Sequence, residues 1–213
     1  MEVELLAVTP NAERVIEEAG RTCYMSQERA DDAGTPRFIR MLVSKGHLSV
    51  LEHAAATFRV RGISRAATHQ IVRHRLCSFS QRSQRYVREA GQTPVEPPSI
   101  ESNKEASACF REAIASAQAA YDSLLRLGVP KEDARFVMPN ATPSEIVISA
   151  NFRELRHIIA VRGSRGAQWE VREMAACILE KMKSLAPNVF FDLDIDTDGC
   201  VVSLSPAEAA GSD

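Results

Sequence analysis

The residues from Arg73 to Tyr86 (RHRLCSFSQRSQRY) place four arginines, one histidine, three serines and two glutamines in fourteen positions, with no acidic residue among them. Such a run is too polar for a core and too rich in arginine for an ordinary solvated loop. Its side chains suit a dense, many-oxygen anion. Guanidinium forks take phosphate oxygens in pairs, and hydroxyls and amides add neutral hydrogen bonds. Arg85 and Ser83 stand two residues apart and offer a fork with a hydroxyl. The surroundings agree. Between His53 and Arg88 there is no Asp, Glu or Lys, while Arg59, Arg61, Arg65, Arg73, Arg75, Arg82, Arg85 and Arg88 give eight positive charges. The whole chain of 213 residues has a formal charge of -2, so the positive segment is local. That pattern favours a focused anion site over a protein that coats nucleic acid, although a plain solvated basic face has the same composition.

Other chemistry finds less support. The five cysteines, Cys23, Cys77, Cys109, Cys177 and Cys200, are odd in number and widely spaced, with no CxxC pair. Neither a disulfide framework nor a zinc site is indicated, HExxH is absent, and no metal is expected. Ser83 has no His or Lys base fixed beside it in the motif, which favours binding over nucleophilic attack. Cys77 reads as an inert packed thiol. The series Asp194, Asp196, Asp198, Gly199 opens like a calcium loop, but Ser205 occupies the twelfth position, where a bidentate Glu is needed. GxGxxG and GxxxxGK[ST] are both missing, so no Rossmann or P-loop site competes.

The elements that must position these groups can be read from periodicity. Residues 2–8 read as a strand with Val3, Leu5 and Ala7 on one face. Thr9-Pro10 reads as a cap for a helix through Ala12, Val15, Ile16 and Ala19, stopped by Gly20. Residues 26–34 are polar and loop-like. Thr35-Pro36 repeats the signal for a helix from Phe38 to Lys45, closed by Gly46. Ala56, Phe58 and Val60 alternate with Thr57, Arg59 and Arg61, the pattern of a half-buried strand with an arginine face. Ser64 caps a third helix to about His74 with Ala67, Ile71 and Val72 inward, and Gln70 and Arg73 share a face of it. The basic motif beyond it is expected to be irregular. An Ala-rich helix spans roughly Glu101 to Leu127, as core or subunit interface. A short helix over Lys131 to Val137, a strand at Ile146 to Ile148, helices over Phe152 to Val161 and Ala167 to Leu185, and a hairpin turning at Asp198-Gly199 complete the chain. No repeat is evident, no run approaches a membrane span, and the acidic start argues against a signal peptide. The reading is one α/β domain, ordered over about 1–205, with a short disordered tail at 206–213.

The spacing RHR, seven residues, then S-x-R resembles the signature of the flavin-dependent thymidylate synthases. Three further stretches resemble the same family: GHLSVLEH (Gly46 to His53), NFRELRHIIAVR (Asn151 to Arg162) and AQWEVR (Ala167 to Arg172). The resemblance runs from about Gly46 to Arg172. It implies a mixed or antiparallel sheet flanked by helices, assembled as a homotetramer whose sites borrow residues from neighbouring subunits. It implies reductive methylation of dUMP to dTMP with FAD, NADPH and 5,10-methylenetetrahydrofolate. Gln70, Arg73, Gln81, Arg82, Ser83, Arg85, Arg135 and Arg162 match positions that contact dUMP, with Arg135 serving a neighbour's nucleotide. Ser49, Arg73, His74, Arg75, Gln81, Asn151, Arg153 and His157 match positions that hold FAD. Arg162 matches the residue credited with favouring ionisation at uracil N3, and His47 lies where folate approaches. Gln81 stands where many members carry Glu.

The chemistry is coherent without the name. Negative charge on uracil makes C5 a better carbon nucleophile, and a fixed guanidinium stabilises it. A hydride must come from a cofactor, since no side chain supplies one. The competing reading is a nucleic-acid-binding module that uses the arginines on phosphates. Only Phe79 and Tyr86 interleave with them, few for single-strand stacking. A cytoplasmic enzyme with small-molecule partners, without nucleic acid or membrane, is the expectation.

Overall fold

The structure is a computed structural model; it describes residues 1–23, 25–29, 34–89, 91 and 93–204. In chain order the elements are β1 (Glu2–Val8), α1 (Ala12–Cys23), α2 (Thr35–Ser44), β2 (Ala55–Ser64), α3 (Arg65–Ile71), β3 (Ser78–Gln81), α4 (Pro98–Glu101) and α5 (Lys104–Arg126). Then follow α6 (Lys131–Ala134), β4 (Pro143–Asn151), α7 (Phe152–Arg162), α8 (Trp169–Leu185), β5 (Leu193–Ile195) and β6 (Val201–Ser203). The main sheet has the strand order β1-β2-β4-β3, and β5 and β6 form a separate antiparallel hairpin. The expected α/β architecture, an antiparallel sheet flanked by helices, is what the chain forms. Among the described residues no helix is long and apolar enough to cross a membrane.

Contacts divide the chain into two compact units. The first comprises Met1–Glu2, Arg61–Gln70 and Ser80–Ile146, and the second Val3–Val60, Ile71–Phe79 and the chain from Val147 onward. The second has the larger apolar core. Alternation on β2 buries Ala56, Phe58 and Val60, as the sequence pattern predicts. Ile16, Ile39, Leu42, Leu51, Phe152, Ile159, Met174 and Leu179 of the same unit are likewise fully buried or nearly so. In the first unit Ile63, Ala67, Tyr121, Ala134 and Ile146 are buried, and α5 buries only Ser107 and Tyr121 along its 23 residues.

Several boundaries differ from the sequence reading, each for a physical reason. Gly20 does not stop α1, which runs on to Cys23. An added Cβ there would meet Leu42 Cδ1 at 2.9 Å and Phe38 Cε1 at 3.0 Å, so the glycine admits α2 at close range. Thr9 caps no helix, because its N–H and hydroxyl are spent on Ala55, 46 residues away. α2 starts at Thr35, earlier than Phe38, and the Thr35 hydroxyl donates to buried Glu17 Oε2 at 2.5 Å. Gly46, at φ 72, returns its N–H to Val43 and closes α2 as expected. Ser64 Oγ does accept from Ala67 N, but α3 ends at Ile71 and Val72 is exposed. The basic segment is not irregular throughout, since Ser78–Gln81 joins the sheet as β3. The Ala-rich helix is interrupted because Asn103 Oδ1 accepts from Glu105 N and Ala106 N, which starts a new helix there. The expected disordered tail at 206–213 lies outside the described residues.

Two caps aim the site-bearing helices. Asn151 ends β4 and its Oδ1 accepts from Glu154 N at 2.8 Å, so strand and α7 are joined without a loop. Gln168 accepts from Glu170 N and Val171 N at the start of α8. Gly163 closes α7 where the hairpin arrives, and Val201 N donates to Gly163 O at 2.8 Å. A Cβ at Gly163 would come within 2.6 Å of both Ile159 O and Val201 Cβ. Gly163→Ala is therefore expected to cost about 1–3 kcal/mol through overpacking. Urea denaturation of the variant checks this, and an unchanged midpoint would contradict the close fit.

Candidate active site

In the second unit the centre is His74, on the turn after α3. Its ring is buried, and both nitrogens are engaged. Arg162 Nε donates to His74 Nε2 at 2.9 Å, and His74 Nδ1 lies 3.2 Å from Glu154 Oε1. His157 stands one turn along α7 from Glu154, with its ring edge-on to His74 at 5.5 Å. Burial first, and then the charge of Arg162, push His74 below the ordinary imidazole value of 6.5, while Glu154 pulls the other way. The ring is thus held neutral, which lets Nε2 accept from a guanidinium. His74, Glu154 and His157 have ligand atoms within 4.8 Å of one another, close enough to hold a cation. A cation at Nε2 would first have to displace Arg162. Cys77 lies close by, and burial with the nearby Glu154 pushes its thiol up to about 12, consistent with an inert group.

Beside this cluster an open cleft of about 720 Å³ is lined by Leu48, Glu52, Leu76, Asn151, Arg153, Glu154, Arg156, His157 and Ala160. Three residues assigned to FAD by resemblance, Asn151, Arg153 and His157, share its wall. Ser49 is exposed next to Leu48, and Arg73 and Arg75 are exposed on the turn that carries Leu76. Arg153 forms an exposed pair with Glu52 at 2.6 Å. Arg156 is structural, with its two terminal nitrogens on the two oxygens of Asp192 at 2.7 Å each. The volume lies within the range of small-molecule sites. Amide, imidazole and guanidinium donors beside the apolar Leu48, Leu76 and Ala160 fit a planar cofactor with a phosphate tail.

In the first unit Gln70, Gln81, Arg82, Ser83, Arg85 and Arg135 are found. The basic field read from sequence is largely matched by acids from outside the motif. Arg82 Nη2 donates to buried Glu89 at 2.9 Å and to Pro143 O at 2.6 Å, and Arg85 Nε donates to Glu132 at 2.6 Å. Arg61 meets Glu2 and Glu145, and Arg88 meets Asp122. In the second unit Arg59 meets Glu4. Ser83 Oγ accepts from Arg85 N at 3.2 Å, a local turn rather than an activated nucleophile. Gln70 Nε2 reaches back to Ala66 O at 3.4 Å, and Arg135 Nε donates to Glu132 O at 3.0 Å.

Gln81 is held by its amide. Nε2 donates to Thr68 Oγ1 and to Ser144 Oγ, each at 3.0 Å. Thr68 spends its own hydroxyl proton on Arg65 O, so towards Gln81 it can only accept. A carboxylate at this position would face that lone pair. Glutamine supplies the amide donor that these two hydroxyl oxygens accept from.

Two groups escape a reading of the sequence. Arg65 counts there as one basic residue among eight, with no role of its own. Burial and the charges of Arg135 and Arg82 lower it from the ordinary arginine value, with Glu89 opposing them. Arg65 thus feels the charges of Arg135, Glu89 and Arg82 together. Glu154 stands inside a motif and likewise has no role there. Its partner is 80 residues away, a pairing that no local spacing announces.

Arginines tied to acids in one unit, and in the other a donor-lined cleft beside a buried histidine, suit an enzyme that handles nucleotides and a cofactor. Comparison with known proteins narrows that class. Residues 4–188 match the family model described as thymidylate synthase complementing protein. The flavin-dependent thymidylate synthase of Geobacter sulfurreducens is 41% identical over 97% of this chain and 91% of its own length. That of Mycobacteroides abscessus is 41% identical over 90% of this chain and 84% of its own. The crystal structure of thymidylate synthase X from Helicobacter pylori with FAD and dUMP superposes with a TM-score of 0.75 at 25% identity, covering 89% of this chain and 97% of that one. The chain belongs to this family, the flavin-dependent thymidylate synthases, enzymes that make dTMP from dUMP with FAD.

The His74 environment has a pH signature. Its imidazole binds a proton less readily folded than unfolded, so the unfolded chain takes up more protons as pH falls through 6.5. The contribution is fully present above that value and is lost progressively below it. Unfolding midpoints are expected to fall on acidification, with a shallower slope in His74→Gln, whose amide can still accept and donate. Urea titrations between about pH 8 and about pH 5 check this, and equal slopes would remove His74 as a source.

Proposed function

We propose that this chain methylates dUMP reductively to dTMP, with 5,10-methylenetetrahydrofolate as one-carbon donor and NADPH as reductant. The observation that carries the reading is the family match over residues 4–188, joined to a donor-lined cleft of about 720 Å³ that supplies a place for FAD. When bound, FAD supplies the electron-carrying ring that no side chain replaces.

In this reading Arg82, Ser83, Arg85 and Arg135 take the phosphate and sugar, and Gln70 and Arg73 are assigned to the same ligand. Arg85 must then trade or share Glu132, an exposed pair worth little on its own. Gln81 presents Oε1 as an acceptor. Arg162 stabilises negative charge on the uracil ring, anchored through Nε by the neutral His74. Asn151, Arg153 and His157 hold the flavin along the cleft, with Ser49, His74 and Arg75 at its edge; Arg73 and Gln81 serve both ligands. By the family resemblance His47 lies on the side from which the folate approaches. The chain acts as one catalytic domain, works in the cytoplasm, and assembles as a homotetramer in which Arg135 serves a neighbour's nucleotide.

Release of tritium from dUMP labelled at C5 tests the reaction. Release should require FAD, the folate donor and NADPH together. Label retained with all of them present, alongside tight salt-sensitive binding of oligonucleotides, would favour the nucleic-acid reading instead. Arg162→Ala should keep its yellow flavin and lose turnover by about 10²–10³-fold, the usual cost of one charge-stabilising donor. Undiminished turnover would remove Arg162 from the chemistry.

A further inference from the structure

The roles given above leave Glu154 without one, yet both its backbone and its side chain are engaged. Its N–H is tied to Asn151 Oδ1 at the start of α7. Its side chain is 7% exposed and that of His74 is 6% exposed. Oε1 lies 3.2 Å from His74 Nδ1, on the opposite side of the ring from Arg162.

The hydrogen bonds fix where the imidazole proton must be. Arg162 Nε carries a hydrogen and donates, so His74 Nε2 has to offer a lone pair. In a neutral ring the proton is then on Nδ1, facing the Glu154 oxygen. If the proton moved to Nε2, two N–H groups would point at each other across 2.9 Å, and Arg162 would have to leave. An acceptor at Nδ1 is what forbids that. Asn151 spends its side-chain oxygen on the Glu154 backbone, and His157 meets the ring edge-on, so among the described residues Glu154 fills the role.

We propose that Glu154 is a positioning residue: by accepting the Nδ1 proton of His74 it selects the tautomer whose Nε2 holds Arg162, and so sets the guanidinium in place before substrate binds. The inference rests on the reading of Arg162 given above. The direction in which burial and Arg162 move the His74 titration agrees, because a protonated ring has no lone pair to offer. The acid acts on Arg162 through His74, and it also lines the cleft given to FAD.

The test combines one spectrum with one mutant cycle, both on the FAD-loaded protein. Nitrogen NMR of histidine-labelled protein, with His74 assigned by its loss in His74→Gln, should show the proton on Nδ1. In Glu154→Gln that preference should weaken, because an amide can either donate or accept. Turnover should fall about tenfold while the KM for dUMP stays within about twofold, the cost typical of a lost orienting partner. Glu154→Asp should recover part of the loss. In an Arg162→Ala background, Glu154→Gln should change turnover less than about twofold. A wild-type ring protonated on Nε2 overturns the proposal without any variant. So does Glu154→Gln with unchanged tautomer and turnover, or an equal loss in the Arg162→Ala background. If Arg162→Ala itself turns over normally, the reading of Arg162 fails, and the spectrum still decides whether Glu154 sets the ring. Should Glu154→Gln not load flavin, the wild-type spectrum and the turnover of Glu154→Asp decide between the two outcomes.

Discussion

A neutral imidazole buried between an acid and a guanidinium is the constraint on which the second unit's chemistry depends. His74 accepts on one nitrogen and donates on the other, and the two partners come from opposite ends of α7. A buried charge pair would have been the simpler way to hold an arginine, but it would neutralise the charge where it is held. A neutral acceptor anchors the guanidinium through Nε and leaves its charge uncompensated by the anchor. The arrangement requires a ring that stays unprotonated, and burial together with Arg162 sees to that.

The first unit handles its arginines differently. Arg82 is tied to a buried carboxylate and a strand carbonyl, and Arg85 to an exposed carboxylate. Removing the first tie strands Glu89, which is 2% exposed, whereas the second can open at little cost. The same residue type within one motif therefore divides into a fixed post and a movable arm. The charges of Arg135 and Arg82 both reach Arg65, and Glu89 opposes them.

What can be read in the sequence is what is local. The alternation of Ala56, Phe58 and Val60 announces a strand because one face must be buried. The spacing of the basic motif announces a family because those side chains sit within one short stretch of chain. What the sequence hides is settled by partners far along the chain. Thr9 looks like a cap until Ala55 takes its hydrogen bonds. Gly20 looks like a stop until Phe38 and Leu42 need its missing side chain. The acids that neutralise Arg59, Arg61, Arg82 and Arg85 all lie outside the acid-free window, so the positive field read from composition is larger than the one that remains after folding.

Gly163 has one more bearing on the molecule. Its backbone, at φ -81 and ψ -12, is one that any residue adopts, so glycine is not needed there for its conformation. It is a seat for the strand that carries Val201. Because the Val201 amide bonds to the carbonyl of Gly163, hydrogen exchange at Val201 requires the hairpin to lift from the helix end. The final turn of α7, which bears Arg162, is thus braced by β6 through a backbone hydrogen bond at the residue that follows the guanidinium.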